Sequence, residues 1–154
     1  IKLEDLKNAE KWVVLFFYQM DFSPICSSEI IALTERYEQF VELNTEVIAI
    51  STDTVFSHEA WINTPIEEKG VGLLSFPLAA DPSHVVSKQY GVLIEEKGIA
   101  QRGLFIVNPN GEIMYQLISH DQLGRNVEEI VRVLKALQSE KQCLAYRKPK
   151  DESF

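Results

Sequence analysis

Cysteine is scarce in this chain: there are two in 154 residues, Cys26 and Cys143. Two cysteines cannot staple a fold that lacks a core, so a disulfide scaffold is excluded. Long hydrophobic runs are missing too. The longest, Trp12-Val13-Val14-Leu15-Phe16-Phe17-Tyr18, falls well short of the roughly 18 residues a membrane helix needs. Positive charge is in deficit. Lys and Arg number 15 against 23 Asp and Glu, a net charge of −8, which argues against nucleic acid or an anionic membrane surface as the main partner. No repeat, low-complexity tract or long linker interrupts the chain. His58, His84 and His120 are scattered, without ligand spacing such as His-x-x-x-His, so no metal is expected. Neither Gly70-Val71-Gly72 nor the Asn108-Pro109-Asn110-Gly111 turn matches a phosphate loop. Ser119-His120-Asp121 is contiguous, whereas a catalytic triad is assembled in space, so it is not read as one.

What is present is ordinary globular composition, with 45% apolar and 25% charged residues. The length fits one domain. Residues 1–11 mix Lys2, Glu4, Asp5, Lys7, Glu10 and Lys11 and have no apolar stretch behind a basic start. They do not read as a signal peptide, and a cytoplasmic protein is expected, with organelle targeting upstream of Ile1 left open.

The apolar, β-branched and aromatic run at 12–18 predicts a strand buried on both faces. A helix follows, with Ile30, Leu33, Tyr37 and Val41 forming one buried stripe at spacings of three and four. Residues 46–50 read as a second buried strand, 56–63 as a helix, and 76–80 as a short strand. Asp81-Pro82 is expected to open a short helix that closes near Tyr90-Gly91. Residues 103–107 and 112–118 read as a hairpin around Asn108-Pro109-Asn110-Gly111, where Pro presets φ and Asn-Gly tolerates positive φ. Val127, Ile130, Val131, Leu134 and Leu137 mark the last helix. The order β-α-β-α-β-α-β-β-α implies parallel strands flanked by helices and closed by one antiparallel hairpin. That is a thioredoxin-like α/β fold with a mixed central sheet, spanning 1–139, with 140–154 as a charged C-terminal tail.

Cys26 falls between the first strand and the first helix. Ser23 is suited to N-cap and Pro24 to N1, which puts Cys26 at N3. Unpaired backbone N–H groups and the positive end of the helix dipole point there, and both favour thiolate over thiol. The competing reading is a small buried hydrophobe. Glu29 occupies the position where Cys-x-x-Cys would place a second cysteine, so Cys26 has no local partner. Cys143 lies beyond the last helix. It reads either as an idle surface thiol or as the resolver of a cysteine nucleophile, paired within one chain or between chains.

The segment Asp21-Phe22-Ser23-Pro24-Ile25-Cys26-Ser27-Ser28-Glu29-Ile30 and the strand before it resemble the active-site region of typical 2-Cys peroxiredoxins, the alkyl hydroperoxide reductase C class. Ser23 and Cys26 fit the hydroxyl and the peroxidatic cysteine of the family pattern Pro-x-x-x-Thr/Ser-x-x-Cys. Further matches are Ser57-His58-Glu59-Ala60-Trp61-Ile62-Asn63-Thr64-Pro65, Phe76-Pro77-Leu78-Ala79-Ala80-Asp81, Gln101-Arg102-Gly103-Leu104-Phe105-Ile106-Val107 and Gly124-Arg125-Asn126-Val127-Glu128-Glu129. The resemblance implies a thiol peroxidase acting on hydrogen peroxide and organic hydroperoxides, with no cofactor. It casts Cys26 as nucleophile and Arg102 as the arginine that stabilises thiolate and peroxide. Glu29 and Arg125 would orient Arg102, and Cys143 would resolve the Cys26 sulfenic acid as an intersubunit disulfide. It further implies a dithiol reductant such as thioredoxin or an alkyl hydroperoxide reductase partner. The expected assembly is a homodimer joined along residues 112–118, with further association into a ring such as a decamer. One or two additional strands are implied upstream of Ile1.

Departures cluster at the site. Gln19 replaces the family's Pro, Ser23 the commoner Thr, Pro24 an aromatic, and Ser27 a Pro. Gln19 either offers an amide N–H or admits solvent. These changes keep a second reading open, a peroxiredoxin-like chaperone or binding protein with weakened peroxidase activity. Easy local opening around Cys26, and hence resistance to over-oxidation, is expected from two features. The loop Lys69-Gly70-Val71-Gly72 lacks the first Gly of the sensitive relatives, and residues 144–154 are short and polar.

Overall fold

The long apolar run becomes the middle of the sheet. In the computed structural model, which describes residues 3–143, β1 (Trp12–Phe17) pairs in parallel with β2 (Thr45–Ser51) and antiparallel with β6 (Arg102–Val107). β3 (Leu78–Ala80) adds in parallel outside β2, and β7 (Ile113–Ser119) adds antiparallel outside β6. The order is β3-β2-β1-β6-β7, the thioredoxin-like arrangement the alternating elements imply.

Alternation along β1 explains why its sequence is apolar throughout. Val14 and Phe16, with Tyr18 just beyond, enter one core with residues of α2 (Pro24–Glu35), α4 (Val55–Asn63) and α6 (Val127–Gln138). Val13, Leu15 and Phe17 enter a second core with Ile48, Ile50, Val92 and Phe105, flanked by Leu6 of α1 (Leu3–Asn8) and Val86 of α5 (Val85–Gln89). Successive side chains point to opposite faces, so a strand covered on both sides carries no polar face.

Three local features differ from the sequence reading. The first long helix breaks at Arg36 (φ −107°, ψ 4°) and restarts as α3 (Tyr37–Glu42). The restart shifts the helical phase: Phe40 is fully buried, while Val41, expected in the stripe, is 52% exposed. α5 starts at Val85 rather than at Asp81-Pro82, after His84 in the left-handed region at φ 62°. Asp81 instead reaches forward, and its carboxylate accepts from the backbone N–H groups of Val86 and Ser87 and from the Ser87 hydroxyl. α1 and the two-residue strands β4 (Leu93–Ile94) and β5 (Ile99–Ala100) are too short to carry a period.

The hairpin turn closes as expected. Asn108 Oδ1 accepts from the backbone of Asn110 and Glu112, and Gly111 takes φ 86°. In the loop after the 3-10 turn Ile66–Glu68, Lys69 adopts φ 71°, a conformation glycine reaches without strain. The expectation for the tail beyond Cys143 lies outside the described residues. Among the described residues, no helix is long and apolar enough to cross a membrane.

Candidate active site

The loop from β1 to α2 sets the site. Ser23 is the N-cap in extended conformation (φ −75°, ψ 132°) and Pro24 is N1, which places Cys26 at N3 as the spacing predicts. The Ser23 hydroxyl makes no capping bond to the helix. Just before it, Phe22 sits at φ 59°, an uncommon conformation for an aromatic residue. Such strain persists only when the surroundings over-determine it, and here they do. The Tyr18 amide donates to the Ile50 carbonyl at 2.9 Å, and the Asp21 amide donates to Asp53 Oδ2 at 3.0 Å.

The Asp21 carboxylate accepts from the Tyr18 hydroxyl at 2.8 Å and the Ser57 hydroxyl at 2.7 Å, and lies 2.8 Å from His58 Nδ1. Burial works against a charged His58, but the hydrogen bond and charge of Asp21 prevail and raise its pKa above the ordinary value. Burial, reinforced by Asp21, pushes the Tyr18 hydroxyl well above its usual range, which keeps it a proton donor.

Cys26 is 0% exposed. Arg102, at the start of β6, points its Nη1 at Cys26 Sγ at 3.3 Å and at Glu29 Oε2 at 2.9 Å. Glu29 stands one helical turn beyond Cys26, so both project toward the same side of α2. Arg125 binds Glu29 through Nε at 2.8 Å and Nη2 at 2.9 Å, and its backbone N–H adds a bond at 2.7 Å. Arg125 Nη1 donates to the Gly103 carbonyl at 2.8 Å, and its guanidinium carbon lies 3.4 Å above the centre of the Phe16 ring. Burial lowers the Arg125 pKa even against the pull of Glu29.

Cys26, Glu29, Arg102 and Arg125 are all buried. Two guanidinium groups against one carboxylate leave one positive charge, and uncompensated buried charge is costly. A Cys26 thiolate would close the balance. The arrangement therefore suits a nucleophilic sulfur facing an electrophile that develops negative charge as it reacts.

Of the residues singled out in the sequence, the structure brings together Cys26, Arg102, Glu29 and Arg125, and Ser23 opens the helix that carries Cys26. Cys143 lies elsewhere. It is exposed and lines a groove with Tyr115, Arg132, Val133, Ala136 and Leu137, where it interacts with Arg132. Two further contacts to Arg102 have no local signal in the sequence: the Asp121 carbonyl accepts from Nε at 2.9 Å, and Gln19 Oε1 accepts from Nη2 at 3.1 Å. Gln19 was visible as a departure from the family pattern, but nothing local pairs it with a residue 83 positions away. The Asp21–His58 network likewise joins residues 37 positions apart and has no local signal in the sequence. The Ser119 hydroxyl donates to the Leu123 carbonyl and His120 Nδ1 accepts from the Gln122 amide, both within the following turn. Among the described residues, no group of three His, Cys, Asp or Glu side chains is placed to hold a metal.

A thioredoxin-like sheet with a single cysteine in the first turn of a helix, packed against a buried arginine, is an arrangement suited to thiol chemistry without a neighbouring cysteine. Comparison with known proteins identifies the family. The AhpC/TSA family matches over residues 1–116. The chain is 54% identical over 149 residues to YkuU of Bacillus subtilis (strain 168), covering 97% of this chain and 83% of that one. It is 49% identical over 138 residues to peroxiredoxin tpx1 of Schizosaccharomyces pombe, covering 90% and 71%. Among solved structures, the reduced 2-Cys peroxiredoxin of Plasmodium vivax superposes with a TM-score of 0.88 at 33% identity, covering 92% of this chain and 75% of that one. The chain belongs to the AhpC/TSA family and is a peroxiredoxin, a thiol peroxidase acting on peroxide.

Proposed function

We propose that this peroxiredoxin reduces hydrogen peroxide and organic hydroperoxides with Cys26 as the peroxidatic nucleophile and Cys143 as the resolver. The observation that carries the reading is the Arg102 Nη1 bond to Cys26 Sγ, in a cluster whose charge a thiolate completes. The thiolate attacks one peroxide oxygen, the O–O bond breaks, and the second oxygen leaves as water or alcohol, with Cys26 left as a sulfenic acid. Ser23 and the first backbone N–H groups of α2 position the peroxide. Glu29 and Arg125 hold Arg102 in place.

Cys26 is buried and Cys143 is exposed. Resolution therefore requires the first turn of α2 to open before Cys143 can condense with the sulfenic acid. The reading takes Cys143 from the partner subunit, on a tail (140–154) attached to a single domain (1–139). An external dithiol such as thioredoxin, or an alkyl hydroperoxide reductase partner, then reduces the intersubunit disulfide.

The edge strand β7 supports a dimer. Ile113, Met114, Leu117 and Ile118 are exposed there, and no Lys or Pro blunts the edge. Two copies pairing β7 with β7 about a two-fold axis would cover it. Met20, Phe22, Val55 and Phe56 are exposed on the loop and helix that Asp21 ties together, an apolar face suited to association of dimers into a ring.

Single-residue variants test the assignment. Cys26→Ser is expected to abolish peroxide reduction. Cys143→Ser is expected to keep the first turnover and lose recycling by the dithiol. The oxidised native chain should run as a disulfide-linked dimer on a non-reducing gel. Equal loss of the first turnover in both variants would show the roles to be misassigned.

A further inference from the structure

Arg102 has little left to offer a substrate. A guanidinium carries five N–H donors and no acceptor. Nε donates to the Asp121 carbonyl, Nη1 to Cys26 Sγ and Glu29 Oε2, and Nη2 to Gln19 Oε1. One N–H, on Nη2, remains without a partner among the described residues. A peroxide presents two oxygens with different needs. One is attacked by sulfur, and the other gathers negative charge as the O–O bond breaks.

Gln19 occupies this gap. Because Arg102 has only donors, the atom of the Gln19 carboxamide that faces it must be the oxygen, which removes the usual ambiguity of amide orientation. The amide nitrogen of the same carboxamide then carries two N–H donors, neither with a partner among the described residues. The backbone on both sides is pinned, by the Tyr18 amide on Ile50 and by the Asp21 amide and carboxylate on Asp53, Tyr18, Ser57 and His58. The Gln19 side chain is thus half-buried on a fixed loop, one hydrogen bond from the arginine that touches the reactive sulfur.

We propose that Gln19 is a catalytic donor of this peroxide site: its carboxamide oxygen locks onto Arg102 while its amide N–H donates to the peroxide oxygen that leaves. The inference rests on Cys26 being the nucleophile. In the step concerned, the Cys26 thiolate forms the S–O bond as the O–O bond breaks. Sulfur loses two electrons and the peroxide gains them. The attacked oxygen keeps its hydrogen in the sulfenic acid, and the leaving oxygen departs with the O–O electron pair and takes a proton from solvent. A neutral donor on that oxygen stabilises its growing charge without competing with the thiolate for Arg102.

A donor to the leaving oxygen matters most when that oxygen leaves reluctantly. Hydrogen peroxide must expel hydroxide, whereas peracetic acid expels acetate, which needs little help. Stopped-flow oxidation of the native chain, Cys26→Ser, Gln19→Met and Gln19→Glu with both peroxides tests the idea. Gln19→Met keeps the side-chain length and removes the donors. Gln19→Glu keeps the acceptor on Arg102 and removes the donors. With hydrogen peroxide, Gln19→Met is expected to lose about 10²-fold in rate, the scale for one oxyanion donor. The loss should shrink markedly with peracetic acid, and Gln19→Glu should show the same dependence on leaving group.

Equal losses with both peroxides would mean that Gln19 acts only by placing Arg102, and would overturn the proposal. No loss with hydrogen peroxide would overturn it as well. If Cys26→Ser kept full activity, the underlying assignment of the nucleophile would fail instead, which sets that outcome apart.

Discussion

The surroundings of the two cysteines are opposites. Cys26 lies in a sealed cluster where one carboxylate serves two arginines and each arginine is also tied to a backbone carbonyl, Asp121 for Arg102 and Gly103 for Arg125. Cys143 lies on an open groove beyond α6, beside Arg132, whose ion pair with Glu129 is exposed to solvent. A nucleophile that must attack a dilute oxidant gains from groups fixed before the substrate arrives. On the proposed assignment Cys143 must travel to reach Cys26, and a rigid surround would hold it back. The same pair of residue types, arginine and glutamate, therefore works under different rules at the two ends.

The sharpest way to break this contrast is to remove the carboxylate at each end. Glu29→Gln leaves two buried guanidinium groups uncompensated and is expected to cost about 3–5 kcal/mol of stability. Glu129→Gln removes an exposed pair and should cost no more than about 1 kcal/mol. Urea unfolding of the two variants gives both numbers, and comparable losses would end the distinction.

The arginines make the next comparison. Arg102→Met should lower the rate of the first oxidation by about 10²–10³-fold, as expected for loss of a cationic donor at the reacting atoms. Arg132→Met should leave that rate unchanged. Rapid mixing with substoichiometric peroxide separates the oxidation step from everything that follows.

A smaller effect comes from pH, and it belongs to the Cys26 end alone. The folded state raises the His58 pKa, so the pair with Asp21 contributes its full stability below the ordinary histidine value of about 6.5. That contribution fades as pH rises through the raised value. The native chain should therefore exceed His58→Gln in stability by more in mildly acidic than in alkaline buffer, as read from unfolding midpoints across pH. A gap that widened with rising pH would reverse the sign of the coupling.

How much of this was legible in the sequence follows from the range of the interactions. β1, the β6–β7 hairpin and α6 declare themselves through local period and turn chemistry, and Ser23-Pro24 was enough to place Cys26 at N3. Arg102, Glu29 and Arg125 were reached only through resemblance to a family, because their contacts span 73 and 96 positions. The break at Arg36 escaped because the apolar spacing runs on across it, and only the backbone shows that the phase restarts. Asp81 before Pro82 has the sequence of a helix opener, yet its carboxylate caps α5 from five and six positions away. Gln19 stands out in the sequence as a departure from the family pattern, but its bond to Arg102 exists only in the fold.

The central claim is that peroxide oxygen is delivered to the buried cysteine and not to the exposed one. Peptide mass mapping of the Cys143→Ser chain after one equivalent of hydrogen peroxide, with a sulfenic-acid trap such as dimedone present, tests it most directly. The account predicts that the trap is carried by the peptide holding Cys26, stoichiometrically and within the mixing time. Peroxide consumption without a Cys26 adduct, with the added oxygen found on Met20 or Met114 instead, would contradict it.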